Sequence, residues 1–445
     1  MDLFSNVLLT FVVLIMGENI IFHIDVNSAF LSWSASFKKK ILGEKEDLRD
    51  IPSVVGGDQN KRHGIVLAKS IPAKQYNIQT GEAIVTAKEK CPDLVVIPPD
   101  YHLYVSASRA LMELLKKYSD NVTQYSIDEA WAEFSGFEGI YGGIVEFAHT
   151  IKDEIREDLG FTVNIGVSTN RLLAKMAGDF KKPDMVHTLF PWEIPVKMWR
   201  LPVGDLFFVG RATEKKLHNL GIHTIGELAH TDINILRQHL KKQGEVIWNY
   251  ANGNDLLPYI YNQEVNKGYG NSMTAPMDIV DAVYAKHVIL SLCETVGMRL
   301  RADNVKISCV SVSIVTCLFE HSSKQKQLLS ATDITEEIYN AACSVFDILW
   351  NGYSSIRQIG VHTSKVVDEG MRQYNLFDLT RYDKLEKCNK AIDEIRTKYG
   401  EDSVMRATFL TSNISHISGG LDKERRTGIT TGINLDKELI IKENI

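Results

Sequence analysis

Short, continuous apolar runs of strand length alternate with longer stretches of helical period along the first part of the chain. "NIIFHIDV" (Asn19–Val26) is apolar and β-branched nearly throughout, the pattern of a strand buried on both faces. "NSAFLSWSASFKKKI" then spaces its apolar residues as a helix does, with Asn27 or Ser28 placed to cap it. A mixed, turn-rich region follows, from "SVVGG" to "VTAKEKCPDLVVIPP". Helical period returns over about Tyr101–Tyr118 and again around Gly142–Glu157, and between them "QYSIDEAWAEF" (Gln124–Phe134) reads as a hairpin. "FTVNIGVS" (Phe161–Ser168) predicts another buried strand. Ser168 or Thr169 is placed to cap a helix through "NRLLAKMAGDFKK", which Pro183 stops.

After Pro191 the pattern becomes helical. "LPVGDLFFVGRATEKKLHNLGIHTIGELAH" reads as helix, glycine turn, helix, twice over. Gly210 falls in a short hairpin, Gly221 ends one helix, and Thr224 with Glu227 makes a capping box for the next. A second α/β segment starts near Lys267. There "NVKISCVSVSIVTCLFE" alternates as one long strand, flanked by helices around His287–Arg299 and Thr335–Trp350. "KLEKCNKAIDEIRTKYG" predicts one more helix before a polar end from about Ser412. The fold class expected is α+β, in several domains.

Composition narrows the reading. At 445 residues the chain is too long for a single core. Its 44% hydrophobic and 24% charged residues are those of a globular protein in water. A net charge of −6 gives no global attraction for a polyanion, although a local patch suffices to bind one. Six cysteines without a C-x-x-C pair support neither a zinc site nor a disulfide framework, and a reducing cytoplasm is expected. The apolar run Val7–Met16 is too short to span a bilayer and lacks a basic flank or cleavage site, so no membrane association is expected. Met16, directly before "GENIIFHID", is the expected start, with the first fifteen residues dispensable. Neither G-x-G-x-x-G nor a P-loop is present.

The candidate chemistry lies in three acids. Asp128 and Glu129 stand together among β-formers, where Asp and Glu are normally depleted. Successive strand residues face opposite ways, so these two converge only if the chain turns at them. Asp25, at the end of a buried strand, must be paired, metal-bound or exposed. Two surface acids on a solvated hairpin tip are the plain alternative. Three converging carboxylates suit two Mg²⁺ ions about 3.5–4 Å apart, the arrangement used for phosphoryl transfer.

"FHIDVNSAFLSW" together with "YSIDEAW" resembles the two palm motifs of the Y-family (DinB/UmuC-type) translesion DNA polymerases. The resemblance continues through "IGVSTNRLLAKMAGDFKKPD" and resumes in "IRQIGVHTSKV", so that it spans roughly Ile20 to Val366. It implies a right-hand polymerase: palm at 19–28 and 100–189, fingers at 29–99, a helix-hairpin-helix thumb at 190–264 and an α/β little finger at 265–370. Residues 1–18 would be an extension and 371–445 a tail.

By the same resemblance, Asp25, Asp128 and Glu129 hold the two Mg²⁺ ions, with Val26 adding its carbonyl. Lys182 matches a lysine that holds the incoming triphosphate, and Phe30 matches an aromatic gate against the ribose 2′-hydroxyl. A helix-end lysine answering the dipole and a core aromatic are the respective alternatives. Ile71 and Lys74 stand where the family usually has Tyr and Arg on the triphosphate, and Asn27 where many members carry a second Asp. A lysine keeps the charge of an arginine but not its bidentate fork. Gly210 would sit at a DNA phosphate, with Lys215–Lys216 and Lys241–Lys242 in support. Arg299, Arg301, Lys324 and Lys326 are candidates for phosphate contacts in the little finger. Gln373, Leu376 and Phe377 fit the Q-x-x-L-F peptide that binds the sliding clamp.

The implied function is a monomeric, cytoplasmic, template-directed DNA polymerase of the lesion-bypass type. It would have low fidelity and low processivity, and act on primer-template DNA and dNTPs. Two alternatives stand beside it: a catalytically weak DNA-binding accessory factor in the damage response, and a palm-fold nucleotide cyclase, against which the helix-hairpin-helix and clamp peptide both argue.

Overall fold

The computed structural model describes residues 20–57, 64–134, 143–256, 266–368, 379–410 and 414–417. The chain divides into two units, one mainly Met1–Gly57 and Ile65–Tyr261, the second mainly Asn262–Arg426. The proposed extension at residues 1–18 and the clamp peptide at Gln373, Leu376 and Phe377 lie outside the described residues.

In chain order, the first unit runs β1 (Ile21–Val26), α1 (Ala29–Lys40), β2 (Ser53–Gly56), β3 (Val66–Lys69), α2 (Ile71–Gln75), α3 (Ile84–Lys90), β4 (Val95–Ile97), α4 (Tyr101–Lys116), β5 (Val122–Gln124), β6 (Glu129–Glu133), α5 (Ile144–Glu154), β7 (Val163–Ser168), α6 (Arg171–Gly178), β8 (Val186–Thr188), α7 (Arg211–Asn219), α8 (Ile225–His230), α9 (Ile233–Leu240) and α10 (Lys242–Ala251). Its main sheet has the order β5-β6-β1-β7-β8, and β1 is antiparallel to both neighbours.

All six residues of β1 are buried, and the period of two sorts them between faces. Phe22, Ile24 and Val26 join the large core with Leu115, Phe134 and Phe147, while Ile21 packs with Trp131 and Ala174 of α6. His23 and Asp25 therefore share the α6 face with Ile21. That helix lies so close to β7 that a Cβ at Gly166 would fall 1.9 Å from the Ala174 carbonyl oxygen, so this position takes no side chain.

Two sequence expectations about caps and one about a helix end are corrected. Ser28 occupies the N-cap of α1 in a left-handed conformation (φ 51°) with no side-chain cap bond, and Asn27 instead donates to Thr162 Oγ1 at 3.2 Å. The cap of α6 is Asn170, which accepts from the Leu173 amide at 2.8 Å; Ser168 is still in the strand and donates to the Leu189 carbonyl. And α6 stops at Gly178, well before Pro183, because the Asn164 carboxamide satisfies the Gly178 and Lys181 carbonyls at 3.0 and 2.7 Å.

A separate three-stranded sheet, β3-β2-β4, carries α2 and α3 over the core of Val54, Val66, Ile78 and Ile84. The helical segment after Pro191 buries Leu206, Leu217, Ile225, Leu236 and Ile247 together with Leu172 and Leu173 of α6. Gly221 ends α7 at φ 77°, and Thr224 and Glu227 form the expected capping box. Gly210 is the N-cap of α7, reached from a short 3₁₀ turn at Val203–Asp205 rather than from a preceding α-helix.

The second unit contains β9 (Gly268–Ile279), α11 (Ala282–Ala302), β10 (Val305–Thr316), β11 (His321–Thr332), α12 (Thr335–Leu349), β12 (Ile356–Asp368) and α13 (Leu379–Tyr399). Its sheet order is β11-β10-β12-β9, with α11 and α12 in its core. The stretch read as one strand to Glu320 is β10 plus the turn into β11. Strands β9 and β11 escaped the hydrophobic pattern because they are edge strands; β11, "HSSKQKQLLSAT", is exposed along most of its length.

Candidate active site

Register brings the three acids to one end of the sheet. Asp25 of β1 pairs directly with Glu129 of β6, and the Val26 amide donates to the Asp128 carbonyl at 3.0 Å. The turn between β5 and β6 is closed by the Tyr125 and Ser126 amides on the Glu129 carbonyl at 2.9 and 3.2 Å. Asp128 is thus the last loop residue and Glu129 the first residue of the strand, which is how neighbours in sequence come to face one space. That space is an open cavity of about 420 Å³, and Asp25, Val26, Phe30, Lys74, Asp128, Glu129 and Lys182 all line it.

The acids have unequal company. Glu129 accepts from Lys175 Nζ at 2.8 and 2.9 Å, and the buried His23 ring lies 3.8 Å away. Burial alone would raise its pKa, but the His23 contact and the Lys175 ammonium prevail and hold it at about 2. Asp25 pairs with Lys182, which also pairs with Asp179 at 2.8 Å. Burial still wins there, and the Asp25 pKa is raised despite Lys182. Lys182 moves up too, because its two carboxylates outweigh its own desolvation. Asp128 is met by a hydroxyl rather than a cation: Ser126 Oγ donates to Oδ1 at 2.6 Å, and burial raises the pKa.

The donor set suits a hard divalent cation, for which one or two carboxylates plus water and phosphate oxygens suffice. Among the described residues no three acid, His or Cys side chains already surround one cation-sized point. Lys175, Lys182 and Ser126 each bond an oxygen of one of the three carboxylates.

Phe30 stacks on Tyr104 with ring centroids 4.4 Å apart and planes within 7°, and Tyr101 meets it edge-on. It is both a packed aromatic and a wall of the cavity. The start of α1 beside it has no acid in its first turn and no side-chain cap, the composition of a helix end that can receive an anion. Lys74 lies in the last turn of α2 and reaches the cavity. Ile71 does not: it is half exposed and lines an adjoining cleft of about 140 Å³ with Lys74 and Lys182. Gly210 belongs to the helical segment at α7, where a Cβ would meet open space. In the second unit, Arg301 is committed to Asp393, at 2.5 and 3.0 Å, and to the Asp333 carbonyl, so it is not the phosphate contact its sequence position offered. Arg299 Nη1 donates to the Gly270 carbonyl at 3.3 Å. Lys324 and Lys326 stand on the exposed strand β11.

Sequence reasoning passed over Lys175, His23, Ser126 and Tyr104. For Lys175 a signal existed: after its opening Arg171, "RLLAKMAG" sets one lysine among apolar residues in a short helix that is buried along its whole length. Such a lysine requires an acid partner. Nothing local marks Tyr104 as the support of Phe30.

The chain is similar to known proteins along most of its length. The impB/mucB/samB family matches residues 24–179 and its C-terminal domain residues 266–376, and the DNA polymerase-iota thumb domain matches residues 204–255. A DNA polymerase IV of Clostridium acetobutylicum is 44% identical over 88% of this chain and 98% of its own. The DNA polymerase IV of Acetivibrio thermocellus is 36% identical over 88% and 98%. DNA polymerase IV 2 of Bacillus subtilis is 33% identical over 89% and 96%. Among solved structures, a Y-family DNA polymerase chimera (Dbh-Dpo4(243-245)-Dbh) superposes with a TM-score of 0.65 at 21% identity, covering 78% of this chain and 99% of that one.

Proposed function

Since the chain belongs to the impB/mucB/samB family of Y-family DNA polymerases, we propose that it is a template-directed, lesion-bypass DNA polymerase whose active site is the acidic end of β1 and β6. The observation that carries the reading is the meeting of Asp25, Asp128 and Glu129 in one cavity with Phe30, Lys74 and Lys182.

Asp25, Asp128 and Glu129, with the Val26 carbonyl, would hold two Mg²⁺ ions, which supply activation of the primer 3′-hydroxyl and charge neutralisation of the triphosphate. The residues around them divide the remaining work. Lys182 and Lys74 present ammonium groups to the incoming triphosphate, and the uncapped start of α1 offers backbone N–H groups to it. Ile71 adds no polar contact, so this chain relies on lysine charge where relatives of the family pattern have a hydroxyl and a guanidinium. Phe30, braced by Tyr104, fills the space a 2′-hydroxyl would need and rejects ribonucleotides by clash. The α7 N-terminus at Gly210 receives a backbone phosphate of the duplex without reading its sequence.

Low fidelity fits the modest cover over the site: a sheet of three short strands and two short helices. Low processivity fits a monomer that borrows the sliding clamp through Gln373, Leu376 and Phe377. The four-part division into palm, fingers, thumb and little finger is part of the same reading. Among the described residues no helix is long and apolar enough to cross a membrane.

Primer extension by the full chain, with Mg²⁺ and each dNTP offered singly on four templates that differ in the first unpaired base, tests the proposal. Addition dictated by the template base is the expected result. Duplex binding without addition would replace it with the accessory-factor reading.

A further inference from the structure

Lys175 stands in α6, all of whose residues are buried. Its ammonium donates to both oxygens of Glu129, at 2.8 and 2.9 Å. Two hydrogen bonds from one buried cation leave the carboxylate little freedom to rotate. The same ammonium lies 5.3 Å from the ring centroids of both Tyr125 and Phe207. Tyr125 belongs to the loop that carries Asp128. Phe207 comes from the turn that leads into Gly210 and α7; its amide donates to Met176 Sδ at 3.4 Å and its ring stacks on Tyr250 at 6.1 Å. A single side chain therefore touches an active-site carboxylate and the turn that starts the duplex-facing helix.

The helix that carries Lys175 is itself fixed from the same segment. Asp255, beyond α10, accepts from the Arg171 and Leu172 amides at 3.1 and 3.3 Å, and Asn170 Nδ2 donates to the Gly253 carbonyl at 3.1 Å. Both the start of α6 and the tip of Lys175 are thus held by residues of the helical segment 203–255.

We propose that Lys175 is a positioning residue that fixes the Glu129 carboxylate and ties it, through Phe207, to the turn preceding α7. The inference rests on the polymerase reading of the site. The seating of that turn sets where the ammonium sits, and the ammonium sets the plane of Glu129. Duplex held at Gly210 and the carboxylate at the reacting end are joined by one chain of contacts about three residues long.

The test uses the full chain with Lys175→Met, Lys175→Arg, Phe207→Leu and the double variant Lys175→Met/Phe207→Leu, in single-nucleotide primer extension. Lys175→Met is expected to lower kcat about a hundredfold while the dNTP KM stays within about threefold, because Lys74 and Lys182 are untouched. Lys175→Arg recovers about tenfold of that loss, since it restores a cation with two donors. Phe207→Leu lowers kcat about fivefold with duplex affinity unchanged, and the double variant is no slower than Lys175→Met, the non-additivity of residues that act as one unit. A second readout needs no turnover. In metal-free buffer Lys175→Met melts below wild type, and Mg²⁺ raises its melting temperature more than it raises that of wild type, because a bound cation now offsets the unpaired Glu129. A Lys175→Met kcat within threefold of wild type, a double variant in which the two losses multiply, or equal Mg²⁺ stabilisation of both proteins would overturn the inference. Should wild type itself add no nucleotide, the polymerase reading falls, and the melting comparison still decides for or against Lys175 as the partner that fixes Glu129.

Discussion

Glu129 in the first unit, half-buried, and Glu294 in the second, buried, are both carboxylates held by cations, and they keep different company. Glu294 of α11 accepts from Arg396 of α13 at 2.8 Å and from Arg406 at 2.6 Å, and Arg406 continues to Glu336 of α12 at 2.7 Å. Two acids meet two arginines there, the Glu294 pKa is lowered because its arginines outweigh its burial, and the chain past α13 is sewn onto the helices beneath it. Around Glu129 three acids, Asp25, Asp128 and Glu129, meet two lysines. The excess falls on Asp128, which has a hydroxyl for a partner, and the group opens into a cavity. Buried charge by itself is therefore no mark of function. A shortage of cations facing an open space is a better one.

The contrast predicts opposite responses to mutation. Glu294→Ala leaves Arg396 and Arg406 without their shared partner and should cost about 3–5 kcal/mol of unfolding free energy in urea. The kcat per folded molecule should stay unchanged. A large loss of turnover in the folded variant would erase the distinction between the two networks.

Acid sharpens it next. The folded-state pKa of Glu129, about 2, lies below its ordinary value of 4.5, so its contribution to stability is full above pH 4.5 and is lost as pH falls from there toward 2. Each unit of depression is worth about 1.4 kcal/mol, which makes the total a few kcal/mol. Asp25 and Asp128 are raised instead, so the fold gains from their protonation as pH falls and part of the loss is offset. Glu129→Gln should start less stable at pH 7 and change less between pH 7 and 3 than wild type does, measured by urea unfolding at both. Parallel losses in the two proteins would show that Glu129 is not the titrating group.

Phe30→Ala should relax the discrimination between dNTP and NTP by about a hundredfold in kcat/KM, with correct dNTP insertion far less affected. Discrimination left at the wild-type level would move the gate elsewhere, with Tyr101 and Tyr104 the next residues to vary. The smallest effect belongs to a residue outside both networks. Asp100 caps α4 by accepting from the Leu103 amide at 3.1 Å, and Asp100→Ala should cost about 1 kcal/mol of stability with turnover unchanged.

How much of this could be read from the chain differs between the two units for physical reasons. β1 and β7 are buried on both faces, so their apolar runs stood out, and Asp25 at the end of β1 was the acid that called for a partner. Asp128 and Glu129 were legible because they are costly where they stand. Lys175 was legible in principle for the same reason and was passed over. The edge strands β9 and β11 left no such trace, since a strand with one exposed side needs no apolar run. Asn27 and Ser168 do not cap the helices that follow them because their side chains are claimed by distant partners, Thr162 in one case and Leu189 in the other. Arg301 likewise carries no local sign that Asp393 will claim it. Pairings made across tens of residues are decided by tertiary packing, and the sequence pattern near each residue is blind to them.

Single-nucleotide primer extension by Asp128→Asn, run beside a metal-free thermal melt of the same protein, tests the central claim most directly. A loss of turnover of about a thousandfold or more, with a melting temperature equal to or above wild type, is the predicted result: the acid in excess is needed for chemistry and is a burden to the fold. Turnover within tenfold of wild type, or a melt as depressed as that of Glu294→Ala, would contradict it and make this carboxylate cluster another structural network.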